Sequence, residues 1–154
     1  MPSTDRLLTV LRDVKLLARE YYDLTGRPLG VTAEVAEYEA ARVLGVKLSP
    51  VRQSGYDATR ATRGGEQYLQ IKGRCVLPGS KSGQRVGAIA LDKRWDAVLL
   101  VLLDKEYDPI AIHEADRSSV ARALMAPSSR ARNERGQLSV SKFKAIGHKV
   151  WPDL

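Results

Sequence analysis

The sequence predicts an α/β chain of the α+β kind, in which a small mixed β-sheet is flanked by helices and two helices lead. Three observations predict it. The first 45 residues carry a helical apolar period, the middle of the chain breaks into strand-length segments between Gly and Pro turns, and one of those segments, Ala97–Leu103, is apolar throughout.

From Ser3 or Thr4, the apolar residues Leu7, Leu8, Leu11, Val14, Leu17, Ala18 and Tyr21 recur at intervals of three and four, and Gly26 with Pro28 ends this first helix. A second helix is expected from Thr32, read as its N-cap, to Leu44, with Gly45 as its stop. Past Ser49 and Pro50 the helical period fades. Residues 55 to 59 read as a short strand, Gly64 and Gly65 as a turn, and residues 68 to 72 as a second strand, so the two make a hairpin. Residues 78 to 83 form a Gly/Ser/Lys loop. The run Ala97–Leu103 is apolar on both faces and suits the middle of a sheet. Another strand over residues 110 to 113 follows a turn at Tyr107, Asp108 and Pro109. Asp116 is placed to cap a helix through Leu124, residues 127 to 136 form an Arg-rich loop, and a last helix over 140 to 150 is interrupted by Gly147. One domain is expected over residues 1 to 154: an N-terminal helix to residue 29, a core from 30 to 115, and a basic helical extension from 116 to 154.

Composition excludes several classes. No stretch approaches the roughly 18 consecutive apolar residues of a membrane span, and the N-terminus lacks the sections of a signal peptide, so the expectation is a cytoplasmic protein with no membrane partner. One cysteine and two histidines make no internal disulfide and no Cys/His zinc site. The net charge of +7 is unevenly distributed: residues 47 to 94 hold ten Lys/Arg against three Asp/Glu, and residues 127 to 154 hold six against two. Such segregation fits a polyanion partner, and equally a solvated basic surface.

Side chains alternate across a strand, so Leu69 and Ile71 face one way while Gln70 and Lys72 face the other. Asp57, on the preceding strand of the hairpin, is close enough in that topology to meet them. A carboxylate, an amide oxygen and an ammonium then converge. Magnesium favours hard oxygen ligands, waters and phosphate oxygens. Asp57 would supply the anionic ligand, with the Gln70 amide oxygen and the Ile71 backbone carbonyl as neutral ones. Lys72 would hold or deprotonate the attacking water, or stabilise charge on the phosphate. The plainer alternative is a salt bridge between Asp57 and Lys72 beside a hairpin.

The series Tyr56-Asp57, thirteen positions, then Gln70-Ile71-Lys72 resembles the PD-(D/E)XK nucleases, the restriction-endonuclease-like superfamily, in the D…QXK variant of Mrr-type enzymes. The segment from Glu37 to Leu44 also resembles the acidic first core helix of Holliday-junction resolvase relatives. The resemblance covers about residues 30 to 115 and departs from the family at Tyr56, where the motif has proline, and at Gln70, where it has an acid. It implies a restriction-endonuclease-like core and Mg²⁺- or Mn²⁺-dependent hydrolysis of phosphodiesters in nucleic acid, with DNA favoured. It adds Glu37 as a further carboxylate at the metal and Glu34 as a second. A chain of this length leaves specificity to a homodimer or to a separate recognition subunit.

The segment from Gly79 to Gly83 lacks the order of a nucleotide-phosphate loop. Arg74, Lys81, Arg85, Arg130, Arg132, Lys142 and Lys144 are assigned to contacts with a nucleic-acid backbone, the alternative for the loop and tail being an ordinary solvated surface. His113, Glu114 and Asp116 are split by strand alternation and read as structural. Cys75 reads as an inert thiol, and Trp95 and Trp151 as packing anchors. Two further functions are open: a non-catalytic nucleic-acid-binding module on a degenerate nuclease fold, and a protein-interaction subunit.

Overall fold

The computed structural model describes residues 4 to 49, 55 to 79, 83 to 126 and 137 to 153. Among them, four helices and six strands follow in the order α1 (Thr4–Thr25), α2 (Thr32–Leu44), β1 (Lys47–Leu48), β2 (Ala58–Thr62), β3 (Gly65–Cys75), β4 (Ala97–Leu103), β5 (Pro109–Asp116), α3 (Arg117–Leu124), α4 (Val140–Ile146) and β6 (His148–Trp151). The strands form one sheet in sequence order. Every neighbouring pair is antiparallel except β3 and β4, which are parallel. A parallel pair needs a crossover. Here the chain leaves β3 at Cys75 and re-enters at Ala97, burying Val86, Ile89 and Trp95 on the way.

The apolar run of β4 is explained by the two faces it serves. Ala97, Leu99, Val101 and Leu103 pack with Val35, Ala36 and Ala40 of α2 and Leu11 and Ala18 of α1. Val98, Leu100 and Leu102 pack with Val120 and Leu124 of α3, Phe143 of α4, and Val86, Ile89 and Trp95 of the crossover. The result is a mixed α/β arrangement with a covered sheet, as the sequence predicts. Glu39 of α2 is fully buried and meets Lys15 of α1, whose ammonium also lies 2.9 Å from Asp108 in the turn before β5. That ion network joins both leading helices to the sheet.

Several boundaries differ from the sequence-based expectation. Val31, not Thr32, is the N-cap of α2 and makes no side-chain cap bond, while the Thr32 hydroxyl lies 3.8 Å from the Cys75 sulfur. Gly45 ends α2 in the left-handed region as expected. Residues 55 to 57 precede β2 instead of belonging to it, and β3 runs well beyond residues 68 to 72 at both ends. The short β1 was not expected. The last helix stops at Ile146, and a Cβ on Gly147 would lie 2.4 Å from the Glu114 carbonyl oxygen. The backbone passes so close to β5 that it joins the sheet as β6, so the end of the chain is a helix and an edge strand. Asp116 caps α3 by accepting from the Ser119 N–H at 2.8 Å. Among the described residues, no helix is long and apolar enough to cross a membrane.

Candidate active site

The site forms where β2 begins against β3. Leu69, Ile71 and Gly73 turn towards α2, while Tyr68, Gln70, Lys72 and Arg74 alternate to the opposite face. Gly73 has no side chain because α2 occupies the space: a Cβ there would sit 2.5 Å from Ala36 Cβ and 3.0 Å from the Thr32 carbonyl oxygen. Close packing of α2 on β3 is what carries Glu37 to the site.

Asp57 lies one step before Ala58, the first residue of β2, whose register partner is Leu69. Its N–H donates to the Leu69 carbonyl at 2.8 Å, and its carboxylate Oδ2 accepts from the Ile71 N–H at 2.8 Å. The carboxylate thus takes the place that a strand carbonyl would fill. Backbone groups two residues apart point the same way, so the Ile71 carbonyl faces the same edge as the Leu69 carbonyl. Burial raises the Asp57 carboxyl above its ordinary range, opposed by the Ile71 N–H and by the Lys72 charge.

Gln70 is 8% exposed. Its Nε2 donates to the Gly55 carbonyl at 2.8 Å, and that bond fixes which way the amide points. The other end, Oε1, is buried and has no hydrogen-bond partner. A buried acceptor without a donor is uncommon and calls for an occupant. Glu37 feels burial first, then the charges of Asp57 and Glu34, and its carboxyl is pushed up to about 7. The Lys72 ammonium donates to the Ala88 carbonyl at 2.8 Å. Burial lowers its pKa, Asp57 opposes that effect and Arg74 adds to it.

Asp57 thus lies within electrostatic reach of both Glu37 and Lys72, and exposed Glu34 within reach of Glu37, while Gln70 turns its amide nitrogen to the Gly55 carbonyl. Asp57, Glu37, Gln70 Oε1 and the Ile71 carbonyl are hard oxygen donors of the kind that Mg²⁺ takes, and the unpartnered Oε1 fits a cation. Among the described residues, no three His, Cys, Asp or Glu side chains gather at metal-holding spacing. A metal here would rest on two carboxylates helped by neutral oxygens.

The basic residues divide. Arg74 donates to the carbonyls of Arg85 and, at 2.6 Å, Gly73, and packs where a Gly87 Cβ would lie 2.9 Å from it. It braces the crossover. Arg85 is half-buried and bridges to Ser139. Lys142 and Lys144 are exposed on α4, and Lys142 lines a groove of about 250 Å³ with Ser119 and Arg122 of α3. Lys81, Arg130 and Arg132 lie outside the described residues.

His113 and Glu114 face opposite sides of β5, and Glu114 pairs with the Arg60 guanidinium through two bonds of 2.9 and 3.0 Å. His113 Nδ1 is buried without a partner, and burial with nearby Lys144, Lys149 and His148 lowers its pKa. Cys75 is half-buried and burial raises its thiol pKa, as suits an inert thiol. Trp95 is a core residue, and Trp151 is half-buried against the α1/α2 side of the sheet.

Sequence reasoning missed one feature beside the site. The rings of Tyr56 and Tyr68 lie 4.7 Å apart at 60°, and the Arg94 guanidinium sits 4.2 Å over the Tyr68 ring. Tyr68 shares strand parity with Gln70, which was a usable signal, but Arg94 is far away in sequence and arrives by the crossover. No protein-family model matches the chain, and no curated protein matches it.

Proposed function

We propose that this chain is a metal-dependent endonuclease that hydrolyses phosphodiesters in nucleic acid, with DNA as the favoured substrate. The observation that carries this reading is the buried, unpartnered Oε1 of Gln70, whose Nε2 binds the Gly55 carbonyl two residues before Asp57. Asp57, Glu37, Gln70 and the Ile71 carbonyl would hold Mg²⁺ or Mn²⁺. When bound, such an ion supplies Lewis-acid polarisation of a phosphoryl oxygen and a more acidic water. An ammonium has three donors, and the Ala88 carbonyl takes one from Lys72, leaving two for a water or a phosphate oxygen. Its lowered pKa eases release of a proton to accept one from the attacking water, and its proximity to Asp57 puts that exchange beside the ligand set.

The test is Mg²⁺- or Mn²⁺-dependent cutting of single-stranded, duplex and branched DNA, and of RNA. Asp57→Ala and Lys72→Ala should each lower the rate by about 10² or more, while binding measured in Ca²⁺ largely survives. Cutting that persists undiminished in both variants belongs to a contaminant and removes the reading. Two observations favour a second reading, a non-catalytic nucleic-acid-binding module: position 70 carries an amide, and no group of three acidic or metal-seeking side chains forms among the described residues. Tight binding with no cutting of any substrate would select it.

A further inference from the structure

We infer that the stack of Tyr56, Tyr68 and Arg94 receives an unpaired nucleobase next to the reacting phosphate, so that the substrate strand passes the site single-stranded. This rests on the proposed nucleic-acid reading and adds the form of the substrate. Tyr68 and Gln70 project from the same face of β3, about 6.7 Å apart along the strand, and Tyr56 is the neighbour of Asp57. The platform and the candidate metal donors therefore lie side by side.

The stack is built as a unit. Gly55 has φ +98, and a Cβ on it would lie 2.8 Å from Lys93 Cβ and 2.9 Å from the Arg94 carbonyl oxygen, so glycine lets the segment before Asp57 run against the segment carrying Arg94. Gln70 holds the Gly55 carbonyl from one side. From the other, Arg117 donates to the carbonyls of Leu91, Lys93 (2.8 Å) and Trp95 (3.0 Å) and covers the Trp95 ring. Arg94 itself is exposed and has no carboxylate partner among the described residues. A guanidinium laid on an aromatic ring and open on its outer side is a stacking surface for a base. In a duplex the faces of the bases are already covered by their neighbours. Only an unpaired base offers a free face.

The probe is a fluorescently labelled twelve-nucleotide strand, as DNA and as RNA, compared with the blunt DNA duplex of the same sequence, with binding read by anisotropy in Ca²⁺. Wild type should prefer the single strand. Arg94→Ala and Tyr56→Leu should weaken single-strand binding about tenfold and leave duplex binding nearly unchanged. Arg94→Lys keeps the charge and loses the flat stacking group, so it should behave like Arg94→Ala. A strand carrying 2-aminopurine should be quenched on binding wild type and not Arg94→Lys. The inference is overturned if duplex binds as well as single strand, or if Arg94→Lys binds and quenches like wild type, which would reduce Arg94 to a phosphate contact. In either case the nuclease reading stands on its own cleavage test. Failure to bind any of the three probes would overturn both.

Discussion

Glu37 shows how a single residue carries the strain of a site. Its carboxyl is pushed up to about 7 from an ordinary 4.5 by burial and by its acidic neighbours. Between those two values the folded protein binds a proton that the unfolded chain releases, so in the metal-free protein this group's contribution is complete below about 4.5 and is lost as pH rises through about 7. Glu37→Gln removes the opposed charge. In chelator, the variant should melt above wild type at pH 8, and the gap should close by about pH 4.5. A gap of equal size at every pH would show that charge is not its cause. Asp57 is raised in the same direction, while Lys72 is lowered, so all three groups are held away from their charged forms by their surroundings. An ion placed among the carboxylates would reverse that penalty for the two acids.

At the scale of elements, the decisive contact is α2 on β3. It is close because Gly73 offers no Cβ to Ala36 and Thr32. Gly73→Ala would force the helix outward at a cost of about 1–3 kcal/mol. It would also carry Glu37 away from Asp57, so the Glu37 pKa should fall towards its ordinary value in an NMR titration. Gly64→Ala is the control: a Cβ there meets nothing within 4 Å, and the change should lie within about 0.5 kcal/mol. Equal destabilisation of the two variants in urea would mean that the α2 contact is not the cause. The crossover is the other decisive element. It brings Ala88 to Lys72, Arg85 to Arg74, and Arg94 to Tyr68, three contacts to one face of β3.

For the whole molecule, the charge pattern matters more than the total of +7. Arg74 is engaged by backbone carbonyls and Arg85 is half-buried, whereas Lys142 and Lys144 are open on α4. If α4 grips a nucleic-acid backbone, binding should fall steeply with salt, by roughly 10³ between 50 and 200 mM for about six phosphate contacts. Replacing both Lys142 and Lys144 by Ala should reduce the slope of log affinity against log salt by about 1.4 to 1.8 units, without changing any preference between sequences. An unchanged slope would place the strand elsewhere on the surface.

The parity of β3 was legible in the sequence, because Leu69 and Ile71 alternate with Gln70 and Lys72 whatever surrounds them. So were the apolar β4 strand, the stop at Gly45 and the Asp116 cap, each a local matter of side-chain period or backbone preference. That Asp57 lies within electrostatic reach of Lys72 was legible through the hairpin of β2 and β3. Two edge strands were not, since β1 is two residues long and β6 exists because Gly147 lets the backbone lie against Glu114. What the sequence by itself determined is the set of local elements and the side from which each polar group projects. Only the tertiary structure decided that Asp57 would take a carbonyl's place at Ile71, that Gln70 would keep one oxygen without a partner, and that Arg94 would lie over Tyr68. The reason is physical: the first two depend on how the segment before β2 bends against β3, and Arg94 reaches Tyr68 only through the crossover that closes over the face of the sheet that Gln70 and Lys72 share.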